Sequence, residues 1–347
     1  MRLLVTGGAG FIGSTFVHRR LATTDDTITV LDKLTYAGDR SNLTLGADQA
    51  LPGDRLRLVV GDVADRAAVD PLVEAADGVL NFAAESHVDR SILDPDAFVR
   101  TNVLGVNVLL DAVRRHGPEQ GRALRFLQVS TDEVYGSVEE GLSSEDAAME
   151  PRSPYAAAKA AADLLVAAYG TTFGLDAVTT RGANTYGPRQ HPEKLVPLFI
   201  SNAMDHQPLP LYGDGLQRRD WLFVDDHADA VSFVFDHGLS GLVYNVPGGQ
   251  ERTNRAVTET ILERLERPWS LVRQVADRLG HDRRYAISGA RLESLGWRPT
   301  VSFEDGMART IDWYERNQDW WRERKGADWN DYYARQYEQR LAGSTPA

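Results

Sequence analysis

The 347-residue sequence contains no cysteine. That absence excludes disulfides, thiol nucleophiles and cysteine-ligated zinc, and no metal site is expected. No apolar run approaches the length of a membrane span. Positive charge is scarce: 38 Lys and Arg stand against 50 Asp and Glu, a net −12 at pH 7. This is the wrong sign for a general nucleic-acid or anionic-membrane surface, so neither partner is expected. An anionic small ligand would need local cations or backbone N–H groups. Internal repeats and low-complexity stretches are also missing. No charged leader or cleavage site precedes Arg2, so a targeting peptide is not expected and the cytoplasm is the default location. What is present is a globular composition, 42% hydrophobic and 25% charged. The length suits one large or two ordinary domains, enough to build a core without metal or disulfide staples.

Short apolar runs at Leu3–Thr6, Ile28–Leu31, Arg57–Val60, Gly78–Phe82 and Leu124–Val129 read as buried parallel strands. Helical patterns lie between them, at Phe11–Leu21 and, with apolar residues three and four apart, at Asp96–Arg115. This alternation predicts an α/β fold, a Rossmann-type doubly wound parallel sheet, over residues 1–180. Beyond about Thr180 elements shorten, and Gly187-Pro188, Tyr212-Gly213-Asp214-Gly215 and Pro247-Gly248-Gly249 mark loops. A smaller mixed α/β substrate-binding lobe is expected over 181–330, interleaved with the first, with a segment at about 220–246 returning to it. Residues 331–347 are expected to form a C-terminal tail. The aromatic stripe Trp320, Trp321, Trp329, Tyr332, Tyr333 and Tyr337 reads as packing against the body or a partner chain.

Gly7, Gly10 and Gly13 fall between the first strand and the first helix. Glycine there allows a tight turn, close approach of a pyrophosphate and close helix packing, while the helix N-terminus offers N–H groups to phosphate. Asp32 closes the second strand nineteen residues after Gly13. A carboxylate at that point accepts from ribose hydroxyls and repels a 2′-phosphate, which favours NAD over NADP, with Lys33 beside it as a counterweight. Asp62, after the third strand, is placed to reach the adenine or to cap a helix.

Tyr155 and Lys159 are four apart at the start of an alanine-rich helix, one turn from each other on one face. An ammonium near a phenol is expected to lower its pKa, and a phenolate can take the proton of a sugar hydroxyl as hydride leaves the same carbon. Asp132 and Glu133 follow the strand ending at Val129, at the sheet edge where ligands bind. Two neighbouring carboxyl groups push each other's pKa apart, so one can serve as acid and the other as base in an elimination next to a ketone.

Over nearly its whole length the chain resembles the extended short-chain dehydrogenase/reductase family, and within it the dTDP-glucose 4,6-dehydratases. The segments that carry the resemblance are Thr6–Gly13, Leu34–Gly38, Phe82–Ser91, Ser130–Gly136, Ser153–Tyr155, His191–Leu195 and Gly280–Tyr285. It implies that Tyr155, supported by Lys159, is the base for C4 oxidation, that Thr131 binds the C4 oxygen, that Asp132 protonates the leaving C6 hydroxyl and that Glu133 takes the C5 proton. It implies tightly bound NAD along Gly7, Gly10, Phe11, Ile12, Gly13, Asp32, Lys33, Thr35, Gly38, Asp62, Val63, Ala83, Ala84, Ser86 and Thr101, with Tyr155 and Lys159. It implies a nucleotide-diphosphate sugar, dTDP-glucose, along Ser86, His87, Thr131, Asn184, Lys194, Leu195, Pro210, Tyr212, Arg219, Asn245, Arg278 and His281. Arg219, Arg278 and Lys194 would supply the cations that the acidic chain otherwise lacks. A homodimer through the helices at Asp96–Arg115 and Tyr155–Phe173 is implied as well. The chain departs from the family pattern at Gly182-Ala183-Asn184-Thr185 and at Leu279, which puts the difference on the substrate side. A 4-epimerase, a decarboxylase or a dehydratase of another nucleotide sugar is the nearest rival, and an epimerase has no use for Asp132 and Glu133. A non-catalytic dinucleotide sensor would have no need of both Tyr155 and Lys159.

Overall fold

A computed structural model describes residues 1–44, 53–277, 280–326, 329, 331, 333–342 and 345–346. The strands are β1 (Arg2–Thr6), β2 (Thr27–Asp32), β3 (Leu56–Val60), β4 (Gly78–Asn81), β5 (Arg125–Thr131), β6 (Ala177–Gly182), β7 (Asn184–Tyr186), β8 (Leu209–Tyr212), β9 (Arg218–Phe223), β10 (Val243–Val246), β11 (Glu251–Thr253), β12 (Val272–Val275) and β13 (Thr345–Pro346). Seven of them form one parallel sheet in the order β10-β6-β5-β4-β1-β2-β3. The chain winds outward from β1 to β3, then returns to β4 on the other side of β1. The crevice between β1 and β4 is therefore the switch point at which such sheets bind ligands.

Both faces of this sheet are covered. Phe16, Val17, Val231 and Phe235 pack on one side, and Val69, Val106, Leu109 and Val113 on the other. Strands buried on both faces explain the unbroken apolar runs in the sequence. The helix expected at Asp96–Arg115 is longer and not uniform. It runs as α-helix Pro95–Phe98, π-helix Val99–Gly105 and α-helix Val106–His116. Pro95 opens it, and the side chain of Asp94 caps it by accepting from the Ala97 N–H. The wide turn carries Asn102, whose amide accepts from the Glu85 N–H at 2.9 Å and donates to the Glu85 carbonyl at 3.0 Å. A π segment here pins the loop that follows β4.

The second lobe has its own core, in which Tyr186, Phe199, Leu211, Trp221, Phe223, Ile261, Phe303, Ile311 and Tyr314 are buried. Two small sheets frame it, β11-β9-β7 and β13-β12-β8. The chain crosses between lobes more than once. Helix Val224–His237 packs on helix Phe11–Thr23, and β10 pairs with β6. Ile287 and Leu292 then join the first core again. Of the aromatic stripe, Trp321, Trp329 and Tyr337 are buried in the second core, with Trp320 and Tyr333 packed against it. These residues bind the chain's end to its body. Tyr332 lies outside the described residues.

Candidate active site

The first turn is built by its glycines. Gly7 has φ +69°, and a Cβ on it would stand 2.5 Å from the Ala83 nitrogen. A Cβ on Gly13 would stand 2.3 Å from the Gly7 carbonyl oxygen, so the helix can start this close to the turn only with glycine. No side chain caps helix Phe11–Thr23 at Gly10, which leaves its N-terminal N–H groups facing the cleft. The cleft is lined by Gly7, Gly10, Phe11, Ile12, Gly13, Asp32, Lys33, Thr35, Gly38, Asp62, Val63, Ala83, Ala84, Ser86 and Thr101. Asp32 also organises the loop, accepting from the Ala9 N–H at 2.9 Å and the Leu34 N–H at 2.8 Å. A Cβ on Gly38 would stand 2.7 Å from its carboxylate. Asp62 accepts from the Ala64 N–H and pairs with Lys33, both at 2.9 Å.

A second cavity opens from this cleft beneath the carboxyl end of β5. It is lined by Thr131, Asp132, Glu133, Tyr155 and Lys159 together with Phe11, Ile12, Ala84 and Ser86. The local sequence places these groups. Thr131 ends β5 and caps a single 3-10 turn, Asp132–Tyr135, its hydroxyl accepting from the Glu133 N–H at 3.3 Å. Gly136, at φ +73°, closes that turn against the Glu150 carbonyl. Ser153 caps the helix Pro154–Phe173, with Pro154 in its first turn. Tyr155 and Lys159 thus occupy its first two turns, facing β5. The Thr131 hydroxyl hydrogen-bonds the Tyr155 side chain.

The electrostatics divide the two carboxylates. Asp132 is buried, and burial, then the charges of Glu133 and Asp220, hold it well above the ordinary carboxylate range, against the pull of Arg219 and the Thr131 hydroxyl. Its Oδ2 has no hydrogen-bond partner among the described residues. Glu133 is half-buried and faces two cavities. Asp132 is therefore the carboxyl group set to hold a proton at neutral pH. The expectation for Tyr155 needs correcting. Its phenol is pushed up, by burial first and then by the charge of Glu133. The Lys159 ammonium does not overcome this: its Nζ donates to the Val129 carbonyl at 2.6 Å, and burial pushes its own value down to about 8. Desolvation outweighs the cation in the protein alone.

A third cavity, toward the second lobe, is lined by His87, Asn184, Lys194, Leu195, Pro210, Tyr212, Arg219 and His281. Arg219 is buried, donates to the Arg218 and Asp282 carbonyls at 2.8 Å, and lies over the Tyr285 ring at 4.3 Å. Lys194 reaches all three cavities and donates to the Ser86 carbonyl at 2.6 Å.

Asn245 is a correction: it does not line this cavity. On β10 its side chain turns inward, accepting from the Tyr135 hydroxyl at 2.8 Å and donating to the Ser143 carbonyl at 3.1 Å. Asn254, first residue of the helix Asn254–Arg264, lines it instead, alongside Asn184. Arg278 lies outside the described residues, as does Leu279. Sequence reading also misses Asp89, Glu193, Trp221, Tyr285 and Tyr337 on this wall, and Gln190 and His191 in the cleft. Glu193 is an organiser. Although burial opposes it, His87, His191, Arg90 and Lys194 hold its carboxyl down at about 2, and Arg90 donates to it at 2.8 Å while stacking on Tyr36 at 3.8 Å. The run His191-Pro192-Glu193-Lys194 is the signal that could have revealed it, since a buried glutamate is rarely tolerated without such partners.

Comparisons with known proteins agree with this geometry. Residues 4–310 match the family described as GDP-mannose 4,6 dehydratase. A dTDP-glucose 4,6-dehydratase of Streptomyces antibioticus is 52% identical over 92% of this chain and 94% of that one. The solved structure of DesIV, a dTDP-glucose 4,6-dehydratase of Streptomyces venezuelae with NAD and dTDP bound, superposes with a TM-score of 0.89 at 49% identity, covering 94% of this chain and all of that one. A Thermus thermophilus UDP-glucose 4-epimerase in complex with NAD gives 0.83 at 33% identity, covering 91% of this chain and 100% of that one.

Proposed function

The chain belongs to the GDP-mannose 4,6-dehydratase family, and from that premise we propose that it is an NAD-dependent dTDP-glucose 4,6-dehydratase. The single observation that carries this reading is the convergence of Thr131, Asp132, Glu133 and Tyr155 on one cavity, which adjoins both the glycine cleft and the pocket of Arg219. The Cβ-free turn and uncapped helix N-terminus fit the pyrophosphate of NAD. When bound, NAD accepts a hydride from sugar C4, returns one to C6, and adds a positive ring that favours a phenolate.

The chain's own groups move the protons. Tyr155 takes the proton of the C4 hydroxyl, and Thr131 and Tyr155 hold the resulting ketone oxygen. The ketone acidifies C5, whose proton passes to Glu133. Asp132, already protonated, gives its proton to the C6 hydroxyl, which leaves as water. The proton on Glu133 exchanges with solvent, and a solvent-derived proton is delivered to C5 as C6 is reduced; Tyr155 then releases its proton to solvent and Asp132 regains one from it. The product is dTDP-4-keto-6-deoxyglucose, a precursor for deoxysugar synthesis. Arg219 and Lys194, with Asn254 and Tyr212, are read as the diphosphate and nucleoside side. Residues 1–180 with the returning segment are read as the cofactor unit and 181–330 as the substrate lobe, to which Tyr337 of the tail contributes. Because its sugar-nucleotide substrate is a freely diffusing metabolite, the cytoplasm is the location we favour; in the described residues no helix is long and apolar enough to cross a membrane.

Turnover of dTDP-glucose in deuterated water tests the reading. The expected product carries solvent deuterium at C5 and the original C4 hydrogen on C6. A C4 epimer, or C5 without solvent deuterium, would refute it.

A homodimer is part of the same proposal. Leu93, Val99 and Leu104 are exposed on the segment Val88–His116, and Leu164 and Phe173 on the helix Pro154–Phe173. Apolar residues grouped this way on neighbouring helices support a self-complementary contact. Leu104→Glu combined with Leu164→Glu should convert a sedimenting dimer to a monomer; an unchanged mass would place the contact elsewhere.

A further inference from the structure

Trp221 stands where the catalytic cavity meets the pocket of Arg219, lining both, and Asn184 does the same. The two are paired neighbours on adjacent parallel strands, Asn184 of β7 opposite Trp221 of β9, so their side chains rise from the same face of the sheet. The indole is 5% exposed, yet no described residue accepts a hydrogen bond from its Nε1. Asn184 Oδ1, also buried, is likewise without a donor among the described residues. A native protein rarely leaves such atoms bare, because an unsatisfied buried donor or acceptor forfeits the hydrogen bond it makes with water.

The setting of Trp221 is rigid. Its ring meets Tyr186 edge-on at 5.9 Å and Phe303 at 6.5 Å. Its backbone is pressed by Gly248, where a Cβ would stand 2.0 Å from the Trp221 carbonyl oxygen. Asp220 holds that loop by accepting from the Gly248 and Gln250 N–H groups at 2.8 Å. Packing explains the ring's position but gives the N–H nothing to bind.

An indole N–H can only donate, and a bare amide oxygen can only accept. A group that satisfies both at once must accept from one and donate to the other. A hydroxyl does this; a phosphate oxygen or an ammonium does not. Resting on the function proposed above, we infer that Trp221, with Asn184, reads one hydroxyl of the hexose near its anomeric end, and is a specificity-determining residue of this enzyme. The location follows from the cavities: the far end of the sugar belongs to Asp132, Glu133 and Tyr155, and the diphosphate to Arg219, with the Trp221–Asn184 pair between them. A site that hydrogen-bonds a hydroxyl rejects the analogue lacking it far more strongly than an apolar pocket rejects a missing methylene.

Trp221→Phe keeps an aromatic ring against Tyr186 and Phe303 and removes only the donor. The test measures kcat/KM on dTDP-glucose and on its 2-deoxy and 3-deoxy derivatives, together with calorimetric affinity for dTDP and for dTDP-glucose. On dTDP-glucose kcat/KM should fall about tenfold or more. For one deoxy derivative, the one that lacks the hydroxyl read here, wild type and variant should be equally poor. Affinity for dTDP should not change. Asn184→Ala should likewise lose on dTDP-glucose and be no worse than wild type on that same derivative, which keeps the test decisive should Trp221→Phe melt early. The inference is overturned if both derivatives lose as much as the parent on substitution, if dTDP affinity falls in step, or if kcat/KM does not move. A wild-type protein that binds dTDP-glucose without turning it over would defeat the proposed function alone. The difference in affinity between dTDP-glucose and dTDP, in wild type and Trp221→Phe, would then still decide the hydroxyl contact.

Discussion

Glu133→Gln should stop the reaction halfway: turnover falls about 10²- to 10⁴-fold, the range for loss of a general base, while the first oxidation proceeds and the absorbance of reduced nicotinamide rises and persists. The reasoning begins with charge. Glu133 is, after burial, the strongest influence raising the Tyr155 phenol. Replacing it with a neutral isostere removes the C5 base and also lowers the cost of a phenolate next door. The oxidation should therefore run at least as fast as in wild type. Asp132→Asn should give the same halt for a different reason. The buried Asp132 carboxyl group holds its proton through desolvation and the nearby charges of Glu133 and Asp220, and an amide cannot give a proton to the leaving hydroxyl. C5 proton exchange with solvent separates the two variants. It should persist in Asp132→Asn, where the base remains, and vanish in Glu133→Gln. Wild-type turnover in Glu133→Gln would remove Glu133 from the mechanism, and a slowed oxidation in either variant would mean that the carboxylates act before the ketone forms.

The parts of the site that were legible in the sequence are those in which one short segment does one job. Gly7, Gly10 and Gly13 are readable because a strand, a turn and a helix N-terminus are consecutive in the chain. Tyr155 and Lys159 are readable because a spacing of four fixes a shared helix face, and Asp132-Glu133 because the apolar run before them announces a strand end. The second-lobe wall was readable only by resemblance, and there an error entered. Asn245 and Asn254 are nine positions apart, and which one faces the cavity depends on the pleat of β10 and on its contact with Tyr135, a residue more than a hundred positions earlier. Trp221 is hidden for the same kind of reason. A tryptophan in an apolar strand looks like core from the sequence, and its unmatched N–H becomes visible only when β7 lies beside β9. The phenol's acidity is not legible, because spacing conveys proximity of the cation but not the desolvation of both groups. The π-helical turn at Val99–Gly105 leaves no periodic trace, since the apolar pattern on either side continues through it.

Tyr155→Phe should abolish the oxidation itself, by about 10³-fold or more, with no reduced nicotinamide formed on mixing with dTDP-glucose and with affinity for dTDP unchanged. The phenol oxygen is the group bound to the Thr131 hydroxyl, and without it no base lies beside the C4 hydroxyl; Asp132 is protonated, and Glu133 is assigned to C5. Lys159 sets how this step responds to pH. Its ammonium is pushed down to about 8 by burial, only partly offset by Asp163. The charge that stabilises the phenolate is present below about pH 8 and lost above it, so the gain in phenolate with rising pH is opposed by loss of its counter-charge. The wild-type oxidation rate should climb with pH and level off near pH 8. Lys159→Arg retains its charge throughout the range, and its rate, although lowered by poorer fit, should go on climbing where wild type flattens. Lys159→Met should be slow at every pH and show no break near 8. Should the break persist in Lys159→Met, it belongs to another group, and the phenolate is formed without the ammonium's help.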